Sequence, residues 1–134
     1  MIDVEIGKQL LIKVNNDVGT LAEVSSVISS SGINLLAMCA YAVDNNGLIM
    51  FVCNNHKRAM KILKEKKYNV REEEIVLFTL DNNPGALLSV TKRISECKID
   101  LTLLYGSVEQ KGKKSQMVLI SENNNAVIAA IKTM

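Results

Sequence analysis

Tryptophan is missing from this sequence, and only two Phe, three Tyr and one His occur among its 134 residues. Net charge is +2. A chain this poor in aromatics and basic excess lacks the means to stack bases or hold a polyanion, so a nucleic-acid partner is not expected. The three cysteines, Cys39, Cys53 and Cys97, form no CxxC pair, and each falls in an apolar run. An odd number in that setting reads as reduced, buried thiols rather than a disulfide framework or metal site. The longest apolar run, Leu35 to Val43, is far short of the ~20 residues that a membrane-spanning helix needs. The opening residues, MIDVEIGK, lack a signal-peptide pattern. A soluble, cytoplasmic protein is expected, with no membrane partner. The sequence also lacks a nucleophile with a base partner, a metal-ligand cluster and a Gly-rich phosphate loop. Neither enzymatic activity nor a cofactor is expected. The lone His56 has no second ligand at metal spacing and reads as a helix-start surface residue.

What is present is a globular pattern, with 48 % hydrophobic and 22 % charged residues. Ile2–Ile6 alternates as a short strand, Gly7 interrupts, and Gln9–Val14 reads as the first full strand. The loop Asn15-Asn16-Asp17-Val18-Gly19 follows. Thr20–Ser31 is a helix with Leu21, Val24, Val27 and Ile28 on one face, ended by Gly32. Ile33–Val43 is a long strand, and Asp44-Asn45-Asn46-Gly47 reads as a hairpin turn, because Asn-Gly suits the type I′ geometry. Leu48–Cys53 pairs back. His56–Lys66 is a second helix, and Tyr68–Glu73 a further strand.

The order then restarts. Ile75–Leu80 is a strand, Asp81-Asn82-Asn83-Pro84-Gly85 the loop, and Ala86–Cys97 a helix with Cys97 inward. Ile99–Val108 is the long strand, Glu109–Lys114 a polar turn, Gln116–Ser121 the return strand and Asn125–Ile131 a last helix. A shift of 66 residues aligns Val18-Gly19-Thr20-Leu21 with Pro84-Gly85-Ala86-Leu87, and Ile33-Asn34-Leu35 with Ile99-Asp100-Leu101. Such self-similarity defines the architecture before any other feature. The fold class expected is α+β: two ferredoxin-like βαββαβ repeats with antiparallel sheets, residues 1–73 and 74–134, the second lacking its last strand. No Pro or Gly separates the repeats. An uncovered sheet edge is an association liability. A second chain is expected to cover the edge left in the second repeat, with the Ile2–Ile6 strand as the alternative.

The local pattern, a strand, N-x-x-G-x-L opening a helix, then I-N or I-D opening the second strand, resembles the ACT domain family of ligand-sensing modules. It occurs twice, as Asn16-Asp17-Val18-Gly19-Thr20-Leu21 with Ile33-Asn34, and as Asn82-Asn83-Pro84-Gly85-Ala86-Leu87 with Ile99-Asp100. The first copy departs from the family in having Val18 where Pro is common. The second departs in having Asp100 where Asn is common. The resemblance implies a stand-alone tandem ACT protein: a regulatory module binding a small molecule, an amino acid, at the interface between modules. It nominates Asn16, Gly19 and Asn34, then Asn82, Gly85 and Asp100, with the intervening Asp17, Val18, Asn83 and Pro84, as ligand-binding positions. It further implies a homodimer formed through sheet edges or helices, and a possible partner enzyme. Helix N-termini favour a carboxylate, and Asp100 suits an ammonium group. Beside these readings, the loop Asn and Gly residues serve turn and cap chemistry, and Asn34 and Asp100 start strands. The competing function is a regulatory or assembly subunit that binds no ligand of its own.

Overall fold

A computed structural model describes residues 2–107 and 113–134. The turn expected around Gly112 falls largely on residues 108–112 and lies outside the described residues. The element order is β1 (Val4–Asn15), α1 (Thr20–Ser30), β2 (Leu35–Val43), β3 (Asn46–Cys53), α2 (His56–Glu65), β4 (Asn69–Asp81), α3 (Ala86–Glu96), β5 (Leu101–Gly106), β6 (Lys114–Ser121) and α4 (Asn124–Lys132). The chain divides into two compact units, Lys8–Glu73 and a second made of the residues up to Gly7 together with those from Glu74 onward.

In the first-repeat unit the strands run β2-β3-β1-β4. β3 lies antiparallel between β1 and β2, with Asn15 opposite Asn46 at one end and Leu35 opposite Cys53 at the other. Lys8 pairs with Glu72 at 3.1 Å, and Gln9 Nε2 donates to Glu73 Oε1 at 3.3 Å, tying β1 to the start of β4. The core gathers Leu10 and Ile12 from β1, Ile49 and Phe51 from β3, Val24 and Ile28 from α1, and Ala59 and Leu63 from α2. These positions show the period of two on strands and of three to four on helices that one-sided burial requires.

The second-repeat unit repeats the arrangement, with β4 beside β6 and β6 beside β5. Val76, Phe78 and Leu80 pack with Leu119 against Val90, Ile94, Val127 and Ile131 of α3 and α4. Arg93 fastens the two helices, its guanidinium donating to the Ala130 carbonyl and Thr133 hydroxyl at 3.2 and 3.0 Å.

Five expectations are corrected here. No strand follows α4, yet the edge beside β4 is covered by the chain's own beginning rather than by a second chain. The Thr79 N–H donates to the Asp3 carbonyl at 3.1 Å, and Ile2 and Val4 pack on the second core. A strand already tethered to the molecule pairs without the translational cost of recruiting another chain. Residues before Lys8 therefore belong with the second repeat, not the first. Gly7 does not interrupt a strand: β1 runs through it, because the Leu77 side chain fills the space a Cβ there would need, at 2.6 Å from that position. The hairpin loop is Asp44-Asn45, with Asp44 at φ 55°, and Asn46 and Gly47 belong to β3. Cys97 is exposed, beyond the last helical residue of α3, where its N–H caps the Arg93 carbonyl; Cys39 is half-buried and Cys53 buried.

Candidate ligand site

The two organising loops adopt the same conformation. The Thr20 N–H donates to the Asp17 carbonyl at 3.3 Å, and the Ala86 N–H to the Asn83 carbonyl at 3.1 Å. Gly19 has φ 89° and ψ −7°, Gly85 φ 86° and ψ −8°. Val18 and Pro84, each at the second turn position, are not among the positive-φ residues. These are type II turns, which demand φ > 0 at the third position and favour Pro at the second. The N-x-x-G spacing thus has a backbone cause. Val18, fully exposed, serves where Pro84 pre-sets φ in the other copy. A Cβ on either glycine would meet nothing within 4 Å, so the requirement is conformational and not one of close approach.

Each turn delivers the chain into a helix whose N-terminus has no side-chain cap. In contrast, Asn55 and Asn123 cap α2 and α4, their side-chain carbonyls accepting from the Arg58 and Ala126 N–H groups at 3.1 and 3.0 Å. The helices that follow the two loops are the ones whose N-cap residue, a glycine, offers no side-chain oxygen. The loop itself is anchored at its start: the Asn16 N–H donates to the Asn45 carbonyl at 2.9 Å, and the Asn82 N–H to the Lys113 carbonyl at 2.8 Å.

In the first repeat this geometry borders a cavity of about 400 Å³. Asn16, Asp17 and Gly19 form one wall with Thr20, Leu21 and Ala22 of α1. Ala40, Tyr41 and Ala42 of β2 and Gly47, Leu48 and Ile49 of β3 form the rest, with Val14 and Asn15 of β1. The small β2 and β3 side chains were missed by motif reasoning. The alternate-position pair Ala40 and Ala42, facing Ile49 and Gly47 across the ladder, is the signal that marks them. On the other flank of the loop, the Tyr68 hydroxyl donates to the Glu23 carboxylate. Burial, then the hydrogen bond and charge of Glu23, push the Tyr68 pKa up to about 12.

Asn34 and Asp100 are not brought to the loops of their own repeats. Asn34 precedes Leu35, which faces Cys53, so it sits at the end of β3 away from Asn15 and Asn46. There its N–H donates to Asn54 Oδ1 and its carbonyl accepts from the Asn54 N–H, both at 3.1 Å. Asp100 makes the equivalent pair with Glu122, at 3.3 and 3.1 Å. Within each unit these residues act as strand-start anchors. No group of three or more His, Cys, Asp or Glu among the described residues is placed to hold a metal ion. His56 lies at the start of α2, where its Nε2 accepts from the Cys53 N–H at 3.2 Å.

The sequence matches the ACT domain pair family over residues 5–132. The chain belongs to that family. This ACT pair shares its fold with protein BT0572 from Bacteroides thetaiotaomicron, at 26% identity and a TM-score of 0.90, over 97% of this chain and 89% of that one. It shares it also with the ligand-free regulatory subunit of aspartate kinase from Thermus thermophilus, at 12% identity and a TM-score of 0.68, over 98% and 95%. A third likeness is to Clostridium acetobutylicum aspartate kinase, at 9% identity and a TM-score of 0.59, over 98% of the ACT pair and 33% of the kinase. Among curated proteins none matches. The fold class expected from the repeat, tandem ferredoxin-like ACT units, is the one observed. No helix among the described residues of this ACT pair is long and apolar enough to cross a membrane.

Proposed function

We propose that this ACT pair is a regulatory sensor that binds an amino acid at the turn between β1 and α1. The observation that carries the reading is the cavity of about 400 Å³ beside Asn16, Asp17 and Gly19. It adjoins a helix N-terminus without a side-chain cap, a setting that favours a carboxylate. The loop residues of the second repeat, Asn82, Asn83, Pro84 and Gly85, are its counterparts. Asn34 and Asp100 contribute only if another module supplies them, since neither reaches the turn of its own repeat. The β2 edge offers the means for such an assembly. Leu35 to Val43 carries no charge, and Leu36, Tyr41 and Val43 are exposed, features of a strand edge that pairs rather than one protected from pairing. A homodimer through that edge follows, in the cytoplasm and without catalysis of its own. A partner enzyme is the further expectation, by analogy with the neighbour described as a regulatory subunit of aspartate kinase.

Thermal unfolding against each of the twenty amino acids at millimolar concentration tests the reading. A ligand at 100 times its dissociation constant adds about 2.7 kcal/mol, or roughly 5–15 °C for a chain of this size. A rise with one or two related amino acids, lost in Asn16→Ala, is the expected result. No rise with any of them would favour an assembly subunit without a ligand.

A further inference from the structure

We infer that the two repeats are unequal: the first alone holds the ligand, and the ligand is an amino acid with an uncharged, aliphatic side chain. This rests on the amino-acid-binding reading above. Asp17 is the one charged side chain lining the first-repeat cavity. A zwitterion needs such a carboxylate for its ammonium group, and the remaining wall then decides the side chain. The apolar part of that wall includes Val14, Leu21, Ala40, Ala42 and Ile49 around Gly47, and its uncharged polar part is Asn15, Asn16, Thr20 and Tyr41. A lysine or aspartate side chain turned against the apolar part would lose its hydration and meet no further charged partner in the lining, whereas an aliphatic one gains burial.

The second repeat has the same turn, but its described residues fill the wall differently. Asn15 pairs with Asn46, and Asp81 with Lys114, which sets the two sheets in a common frame. In that frame the cross-strand pair Ala40–Ile49 corresponds to Gly106–Met117. Val14 corresponds to Leu80. The Met117 side chain lies over Gly106, its Sδ and Cε occupying the room that a Cβ there would need. Leu80 is buried, whereas Val14 is only partly so. Asn83 stands in the place of Asp17 and Asp81 in that of the lining residue Asn15, so the carboxylate shifts from the turn to the strand end, opposite Lys114. The filling of the wall and the placement of the carboxylate both differ between the repeats. Met117 and Leu80 are the plug, and Asp17 the selecting charge.

Isothermal titration calorimetry of the full chain tests this, with L-leucine, L-isoleucine and L-valine against L-lysine, L-aspartate and L-glutamate. One equivalent of an aliphatic amino acid per chain is expected, with the charged amino acids at least about tenfold weaker. Ala42→Leu, at an exposed cavity position, and Asp17→Asn should each weaken binding about tenfold or more, while Met117→Ala leaves it unchanged. Ala40→Leu provides a second blocking variant, and far-UV circular dichroism verifies that each is folded. Two equivalents per chain, tightest binding of a charged amino acid, or binding that survives both blocking variants overturns the inference while leaving amino-acid binding intact. No heat with any of the six, together with no thermal shift for the other fourteen, overturns the ligand reading itself.

Discussion

His56 Nε2 accepts a hydrogen bond from the Cys53 N–H at 3.2 Å, and this one contact carries a pH dependence. In the second repeat Asn124 does the same work, its Oδ1 accepting from the Ser121 N–H at 2.9 Å. A ring nitrogen that accepts is unprotonated, so the folded state holds His56 neutral. Burial pushes its pKa below the ordinary value, with Glu72 opposing and Lys8 assisting. Because the folded pKa is the lower one, the unfolded chain takes up the proton first. The stabilisation is complete above the unfolded value of about 6.5 and is lost as pH falls below it. Urea midpoints of the wild type should drop between pH 7.5 and 5.5. His56→Asn, which keeps the acceptor as Asn124 does, should show a flatter profile. Equal slopes in the two proteins would contradict the assignment.

Gly19→Ala and Gly85→Ala should each cost about 1–2 kcal/mol, because the left-handed backbone disfavours an L side chain by that amount. No atom within 4 Å opposes the added methyl, so contact makes no contribution. Gly19→Asn should therefore recover part of the loss, since Asn tolerates this region. Chemical unfolding of the three variants checks the ordering. Equal losses for Ala and Asn at position 19 would show that backbone conformation is not the cause.

Removing the residues before Lys8 should destabilise the second-repeat unit by about 2–4 kcal/mol, the worth of two partly buried aliphatic side chains. Ile2 and Val4 leave the second core, and the Thr79 N–H loses the Asp3 carbonyl. Hydrogen exchange locates the effect. Amides of Ile75–Asp81 should exchange faster, with those of β2 and β3 little changed. Uniform loss of protection across both units would mean that the segment is not specific to the second core.

Much of the fold was legible along the chain. The helical faces of Val24 and Ile28, and of Val90 and Ile94, follow from spacing, and the buried clusters contain all four. The paired turns were legible because type II geometry leaves a chemical trace, Gly at the third position with Pro at the second in one copy. The continuity of β1 was not. Gly7 resembles a break until Leu77, seventy positions later, is seen to lie against it. Nor was the hairpin register, where Asp44 takes the positive φ and leaves Asn46-Gly47 in the strand. Gly47 is held there by Val14, whose Cγ2 would stand 2.9 Å from an added Cβ.

The sequence by itself determined what neighbours along the chain decide: strand and helix periods, the two turns, the repeat and hence the ACT pair. Each of these depends on a few consecutive residues and on backbone sterics that act locally. Only the tertiary structure decided which strand covers the edge beside β4, and how much room remains beneath each turn. Those depend on side-chain volumes meeting from distant positions: Ile2 and Val4 with the second core, and Val14, Ala40 and Ile49 where the other repeat has Leu80, Gly106 and Met117. Close packing makes a methyl group's difference felt only once the partners are in place, and no spacing in the sequence names those partners.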